Sequence, residues 1–548
     1  MDSSASARAS QVILPTLAAG QFLMTLDTSV MNVSIATVAH DVGTTVTGIQ
    51  TAITLYTLVM ATLMITGGKI GQIIGRKRAF SIGCVIYGCG SFVTAISPSL
   101  GVLIVGWSFL EGVGAALILP AIVALVASNF ERSARPRAYG LVASAGAIAV
   151  AAGPLVGGLF TTYLSWRWVF AGEVLIVIAI LWLSRRISDA APDTRPRLDF
   201  VGTALSALGL GLIVFAILRA GDWGFVRPKP GAPEWIGLSP SIWLMLGGGV
   251  VVWAFLAWEN QRLRRGSEPL VDPSMLRNPT LRGGLTSFFF QYLLQAGLFF
   301  AVPLFLSVAL GLSAIQTGVR LLPLSITLLL AAAGIPKVFP NASPRRVVQI
   351  GFAALFAGIA VMVAALDAGA GADIVTWPML LAGLGVGSLA SQLGSVTVSS
   401  VPDEQSSEVG GLQNTLTNLG ASIGTALAGA VLISALTASF LTGVQNNPAV
   451  PASVKSQVEV KLTGGASFVS DTQLRSGLEK AGLPPDQADA IVAENEKARL
   501  DALRSSLSVL GLIALIAAFF TFRLPTQQPG ASGPQTEARP AAAAAADA

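Results

Sequence analysis

The segment IQTAITLYTLVMATLMITGG, residues 49–68, runs directly into KIGQIIGRKR, residues 69–78. The first part carries no charged side chain, and at about 1.5 Å per residue its length as a helix matches a hydrocarbon layer of about 30 Å. The second part supplies glycines and four basic residues, Lys69, Arg76, Lys77 and Arg78. An apolar run closed by a short basic turn reads as a membrane-spanning helix with one end anchored at the headgroups.

Outward from this unit the pattern repeats along the chain. Hydrophobic residues make up 53% of the 548 residues and charged ones only 11%, against roughly 25% charged in a soluble domain. That excludes a soluble enzyme. The net charge of +5 sits in short clusters between apolar stretches, so nucleic acid is not the expected partner. Cutting the chain at its polar breaks gives fourteen spans, at residues 12–38, 49–68, 79–98, 101–128, 138–163, 168–184, 200–219, 240–258, 284–306, 315–335, 347–366, 376–400, 411–441 and 504–522. Lipid offers no partner to an open backbone, and the spans lack the alternation of a barrel strand. The fold class is therefore an all-α polytopic membrane protein. The first span is too long, and too polar at Asp27 and Asn32, for a cleavable signal. Cys84 and Cys89, five residues apart in one span, suggest neither a disulfide framework nor a metal site.

Basic residues set the expected orientation. Clusters such as Arg76 to Arg78, Arg132 to Arg137, Arg262 to Arg265 and Arg345-Arg346 fall in alternate loops, whereas the short loops between them hold only Arg167, Arg219, Arg227 and Lys229. By the positive-inside rule both termini are cytoplasmic. The polar stretch 442–503 is then an extracytoplasmic cap, one that could meet a partner of unknown kind. The Pro- and Ala-rich tail 523–548 is expected to be disordered.

A weak repeat divides the spans. Span five opens with Gly140-Leu141 and reaches Gly153; span thirteen opens with Gly411-Leu412 and reaches Gly424 at the same distance. Repeated bundles around a central site are typical of transporters. The expected organisation is a tail at 1–11, a six-helix bundle at 12–184, a linker with two extra spans at 185–283, and a second six-helix bundle at 284–522.

Several of these residues resemble the major facilitator superfamily, and within it the fourteen-span drug:proton antiporters of multidrug efflux. The family's loop Gly-x-Leu-x-Asp-Arg-x-Gly-Arg-Lys is met by Gly68-Lys69-Ile70-Gly71-Gln72-Ile73-Ile74-Gly75-Arg76-Lys77. Its first-span motif is met by Leu26-Asp27-Thr28-Ser29-Val30-Met31-Asn32, and the antiporter Gly-Pro-x-x-Gly-Gly by Gly153-Pro154-Leu155-Val156-Gly157-Gly158. Ser165-Trp166-Arg167 and Leu321-Leu322-Pro323 add to the likeness, which covers residues 12–522. It implies a major facilitator fold of two six-helix bundles plus two extra spans, gating by the Gly68–Lys77 and Gly153–Gly158 motifs, and sites at Gln413 and Asn414. The departures are Gln72 at the acidic loop position, Ser108 to Gly112 where the family has Arg-x-x-Gln-Gly, and Thr417 at an arginine position. The family's coupling arginines are thus not carried over.

Charged groups inside a span are costly and by default functional candidates. Asp27, with Asn32 beside it, and Glu111 are the expected proton-responsive pair, since a carboxyl group can take a proton from one side and release it to the other. Glu111 adjoins a run of small residues, so a hydrogen bond joining helices is the rival reading. Glu173 lies near the outer end of span six and is expected at the interface. Arg320 is either a counter-charge for a carboxylate or anionic substrate, or a side chain snorkelling to the surface. The chain carries no phosphate-loop motif, so transport is expected to draw on a proton gradient rather than ATP, with no cofactor or metal. The expected function is export of amphipathic or hydrophobic compounds. A lipid, siderophore or metabolite exporter with other coupling is the alternative, and a non-transporting membrane sensor a third.

Overall fold

The computed structural model describes residues 3–130, 135–187 and 198–527, apart from 230, 268, 340, 368, 402–405, 453 and 456–467. Part of the basic loops at 131–134 and 188–197, and the tail beyond 527, lie outside the described residues. Fifteen helices are described: α1 (Ser3–Asp41), α2 (Val46–Ile74), α3 (Arg76–Ala95), α4 (100–129), α5 (Arg135–Tyr163), α6 (Arg167–Ser184), α7 (Phe200–Trp223), α8 (Pro240–Arg264), α9 (Pro279–Leu304), α10 (Ala314–Val338), α11 (Pro344–Ala365), α12 (Thr376–Val398), α13 (Ser406–Asn446), α14 (Asp471–Lys480) and α15 (Pro485–Phe520). Thirteen are long and apolar enough to cross a bilayer, and α5 adds a shorter apolar stretch, Ile148–Tyr163. These are the fourteen spans of the sequence; α14 is the one helix among the fifteen that spans nothing.

Local sequence explains where the helices start. Thr45 caps α2 by accepting from the Gly48 N–H at 3.2 Å, and Asn278 caps α9 through the Thr280 and Leu281 N–H groups. Ser313 and Gln316 form a reciprocal capping box at α10, so the first backbone donors keep partners where the chain leaves lipid. Gly75, at φ 101°, breaks α2 from α3 in a backbone region that a residue with a Cβ avoids. Two helices contain wider, π-type turns: Ile104–Glu111 within α4 and Phe305–Ala309 at the end of α9.

The helices pack as two bundles with an added pair. In the first, α1 lies on α5, and α4 on α2 and α3, with α6 against α3. In the second, α9 lies on α13, α12 between α10 and α11, and α15 on α13 and α11. The bundles meet along α2 with α13 and α5 with α10. Helices α7 and α8 pack on each other, and α7 reaches α2 and α13; α8 is largely exposed, as a helix facing lipid would be. Fourteen alternating crossings bring the start of α1 and the end of α15 to one face, where Arg345 Nε donates to the Leu524 carbonyl at 2.8 Å.

Three helices reach beyond the hydropathy spans. α1 begins at Ser3, α13 continues to Asn446, and α15 starts at Pro485 rather than residue 504. Hydropathy sees only the part in hydrocarbon, whereas Ala, Glu, Lys, Arg and Leu favour helix equally well in water. On the face opposite the termini the α15 extension carries α14. Arg499, 1% exposed, donates to Asp471 at 2.6 Å and to the Val469 carbonyl at 2.8 Å. Asn447 Nδ2 donates to Glu494 at 2.8 Å.

Candidate functional site

Asp27 occupies the middle of α1 and is fully buried. The indole N–H of Trp107 lies 2.9 and 3.0 Å from its two carboxylate oxygens, as a forked donor. Trp107 is in the π-type segment of α4, and Glu111 stands four residues further on the same segment. The wider turn is a recurring feature of functional sites in helices. The ring of Tyr56, from α2, stacks on Trp107 with centroids 5.1 Å apart and planes 6° from parallel.

Glu111 and Glu173 complete the cluster. Ligand oxygens of Asp27, Glu111 and Glu173 all lie within 4.8 Å of one another, and the three residues are 0–1% exposed. The expectation that Glu173 sits at the interface is therefore corrected: α6 turns it inward onto α3, where Ser91 Oγ donates to its carboxylate at 3.1 Å. Thr94 Oγ1 donates to Glu111 at 3.3 Å. Glycines make room for this approach, since a Cβ on Gly90 would come 2.6 Å from Glu111 Cγ and one on Gly114 2.7 Å from the Tyr87 backbone nitrogen. Tyr87 and Tyr56 are buried with their hydroxyls beside the carboxyl groups, yet neither hydroxyl meets hydrogen-bond geometry. Oε2 of Glu111 and Oε1 of Glu173 are likewise without a partner.

No arginine, lysine or histidine among the described residues forms an ion pair with these carboxyls. Like charges at such a spacing repel by several kcal/mol at an effective dielectric of about 20. Positive charge, as bound protons or another cation, has to accompany them.

The other candidates lie elsewhere. Asn32 turns back on its own helix, donating to the Thr28 carbonyl at 2.8 Å. Arg320 is not a counter-charge to the buried cluster: at 37% exposure it is bound to Asp373, which is 87% exposed. Gln413 and Asn414 are half-buried on α13, with Asn414 Nδ2 donating to the Gly410 carbonyl at 3.0 Å. Ser108 joins α4 to α2 through the Ala52 carbonyl at 2.8 Å, and Thr417 bonds within α13.

The two glycine motifs sit at helix crossings. A Cβ on Gly153 would lie 2.1 Å from Ser29 Oγ, and one on Gly157 3.0 Å from Val30 Cα, so both seat α5 on α1. Gly158 faces the other bundle, where a Cβ would lie 2.6 Å from Ile315 Cα. Pro154 stands between them in the same helix. On the same face, opposite the termini, Gln50 Nε2 donates to the Thr425 carbonyl at 2.9 Å and Ser422 Oγ to the Thr54 carbonyl at 3.2 Å.

On the termini face Arg76 donates to the Ala124 carbonyl of α4 at 3.2 Å, and Lys77 to the Arg185 and Ile187 carbonyls at the end of α6 at 3.1 and 2.8 Å. Cations there complement the negative ends of helix dipoles. Gly68 faces the Pro120 ring, while the tighter contact belongs to its neighbour: a Cβ on Gly67 would lie 2.0 Å from the Ala116 oxygen. Gln72 lines a small cleft with Lys69, Ala121, Leu270, Val271 and Gly411.

Trp107, Tyr56, Tyr87, Ser91 and Thr94 carried no expectation from sequence. One signal was readable: Tyr87, Ser91 and Thr94 follow at i, i+4 and i+7, a polar stripe on one face of an apolar span.

The profile of the Major Facilitator Superfamily matches residues 17–425. The probable actinorhodin transporter of Streptomyces coelicolor is 27% identical over 464 residues, 82% of this chain and 76% of that one. The tetracenomycin C resistance and export protein of Streptomyces glaucescens is 26% identical over 540 residues, 97% and 95% of the two chains. Among solved structures, a bacterial homologue of the human lysosomal transporter Spinster, inward-facing and unoccupied, superposes with a TM-score of 0.57 at 14% identity, covering 95% of this chain and 97% of the other.

Proposed function

Because this chain belongs to the Major Facilitator Superfamily, we propose that it exports amphipathic or hydrophobic organic compounds, in the manner of its antibiotic-exporting relatives, in exchange for protons. The observation that carries the proton part is the triad of buried carboxyls, Asp27, Glu111 and Glu173, with no basic ion-pair partner among the described residues. Such a group changes charge when it gains or loses a proton, and a charge change in a dry bundle alters which packing of the bundle is favoured. The forked bond from Trp107 to Asp27 ties that change to α4, and the stacked Tyr56 extends it to α2, which lies against α13 of the other bundle.

The close crossings at Gly158 with Ile315 and at Gln50 with Thr425 are where the bundles would part or rock. Opening that face breaks the Gln50 and Ser422 bonds, and the Arg76 and Lys77 contacts keep the first bundle rigid as it moves. The basic loops support cytoplasmic termini, the Streptomyces relatives support a bacterial cell membrane, and in this reading neither ATP nor a cofactor enters. The alternative, a lipid, siderophore or metabolite exporter with other coupling, draws on Gln72, Ser108 and Thr417 and, for an anionic headgroup, on Arg320; the Arg320–Asp373 pair weakens the Arg320 part of it.

The test is dye efflux from proteoliposomes under an imposed proton gradient. Asp27→Asn is expected to abolish gradient-driven efflux while the purified variant still melts cooperatively; uncoupler-insensitive efflux by the wild type would overturn proton exchange.

A further inference from the structure

We propose that the Asp27–Glu111–Glu173 cage is also a binding site for Na+, which enters in place of protons; this rests on the cage being the ion-coupling site. The spacing fits one ion. Hard cations of calcium's size hold oxygens at about 2.3–2.6 Å, so oxygens on opposite sides stand about twice that apart, and the three carboxyl oxygens lie within 4.8 Å of one another. Na+ shares that size, and K+ is larger.

The unpartnered atoms form a second, independent observation. Oε2 of Glu111, Oε1 of Glu173 and the hydroxyls of Tyr56 and Tyr87 are buried with no hydrogen-bond partner. Tyr87 is 0% exposed and its hydroxyl stands beside all three carboxyls. Buried polar atoms without partners are uncommon and call for a cause, and a cation at the cage centre supplies one for all four at once. The donor set is all oxygen, which suits hard cations. Mg2+ retains several waters and Ca2+ takes 6–8 oxygens; a fully buried cage of three carboxyls and two phenols, with Ser91 and Thr94 already bonded to Glu173 and Glu111, suits neither. A monovalent ion also loses less hydration on burial than a divalent one.

The titratable groups facing the site are Asp27 from α1, Tyr56 from α2, Tyr87 from α3, Glu111 from α4 and Glu173 from α6. As one Na+ binds, one proton held by the carboxyls leaves to solvent, so the charge of the cage is conserved.

The experiment uses the full chain in nanodiscs, melted in NaCl, KCl or choline chloride of equal ionic strength, with radioactive sodium in equilibrium dialysis. The expected result is a saturable rise in Tm with NaCl alone and one sodium bound per chain. Tyr87→Phe should weaken sodium binding several-fold with a cooperative melt retained, and the Glu111→Gln, Glu173→Gln double variant should abolish it. Equal melting in the three salts with no bound sodium would overturn the proposal, as would undiminished binding by the double variant. Proton-driven efflux is measured separately in sodium-free vesicles: its persistence without sodium binding defeats only the sodium site, and its absence alongside sodium binding defeats only proton exchange.

Discussion

At Asp27 a single indole serves both carboxylate oxygens, and that makes Trp107 the side chain through which α4 registers the state of α1. A hydrogen bond to a charged group contributes roughly 1.5–3 kcal/mol, which corresponds to roughly one to two decades in an equilibrium constant. Trp107→Phe keeps the ring that stacks on Tyr56 and removes the N–H. Proton-driven efflux is expected to fall about 10- to 100-fold and the melting temperature to drop modestly with the transition still cooperative, both measured on the same proteoliposome preparation. Arg320→Gln, by contrast, removes an exposed pair with Asp373, and exposed pairs contribute about 0–1 kcal/mol. Efflux close to wild type is expected; a collapse to the level of Asp27→Asn would return Arg320 to the coupling machinery.

Among the elements, α7 and α8 reach the bundles where α7 packs on α2 and α13, and a buried carboxylate fixes the chain that leaves α8. Glu259 near the end of α8 is 0% exposed and accepts the Leu270 N–H at 2.8 Å, holding Leu270 and Val271 in the cleft beside Gln72 and Gly411. Asp199 caps α7 and pairs with Arg262 at 3.1 Å on the same side. Glu259→Ala would leave a buried backbone donor unpaired, costing roughly 1–3 kcal/mol, whereas Glu259→Gln retains an acceptor. The alanine variant is expected to melt lower than the glutamine one; equal melting would mean the Leu270 bond contributes nothing. At the α2–α4 crossing, Gly67→Ala places a Cβ on the Ala116 carbonyl, and such overpacking costs roughly 1–3 kcal/mol. Gly211→Ala, where a Cβ meets nothing within 4 Å, is the neutral comparison in the same melt.

For the whole molecule, two bundles, an added pair and a docked outer helix make separable units. Arg499 anchors the outer helix from inside, and Arg499→Ala removes its bonds to Asp471 and Val469. Loss of these contacts, roughly 1–3 kcal/mol, is expected to raise local opening about tenfold, seen as faster protease cleavage near α14, with gradient-driven efflux retained. If efflux fell with the outer helix released, that helix would belong to the transport cycle.

The sequence by itself determined the number of spans and the basic and non-basic faces, because a bilayer forces each span to declare its length, and it offered the two glycine motifs through their resemblance to the family's. It also singled out Asp27 and Glu111, since a carboxyl inside an apolar run is costly wherever it points. Tertiary packing alone decided that Glu173 belongs with them and Arg320 does not. Position along a span gives depth, not direction, and a residue near a helix end can face a neighbour as readily as lipid. The roles of Trp107, Tyr56 and Tyr87 were equally hidden, since an aromatic residue in an apolar span looks like packing until the carboxylate it touches, contributed by another helix, is in place.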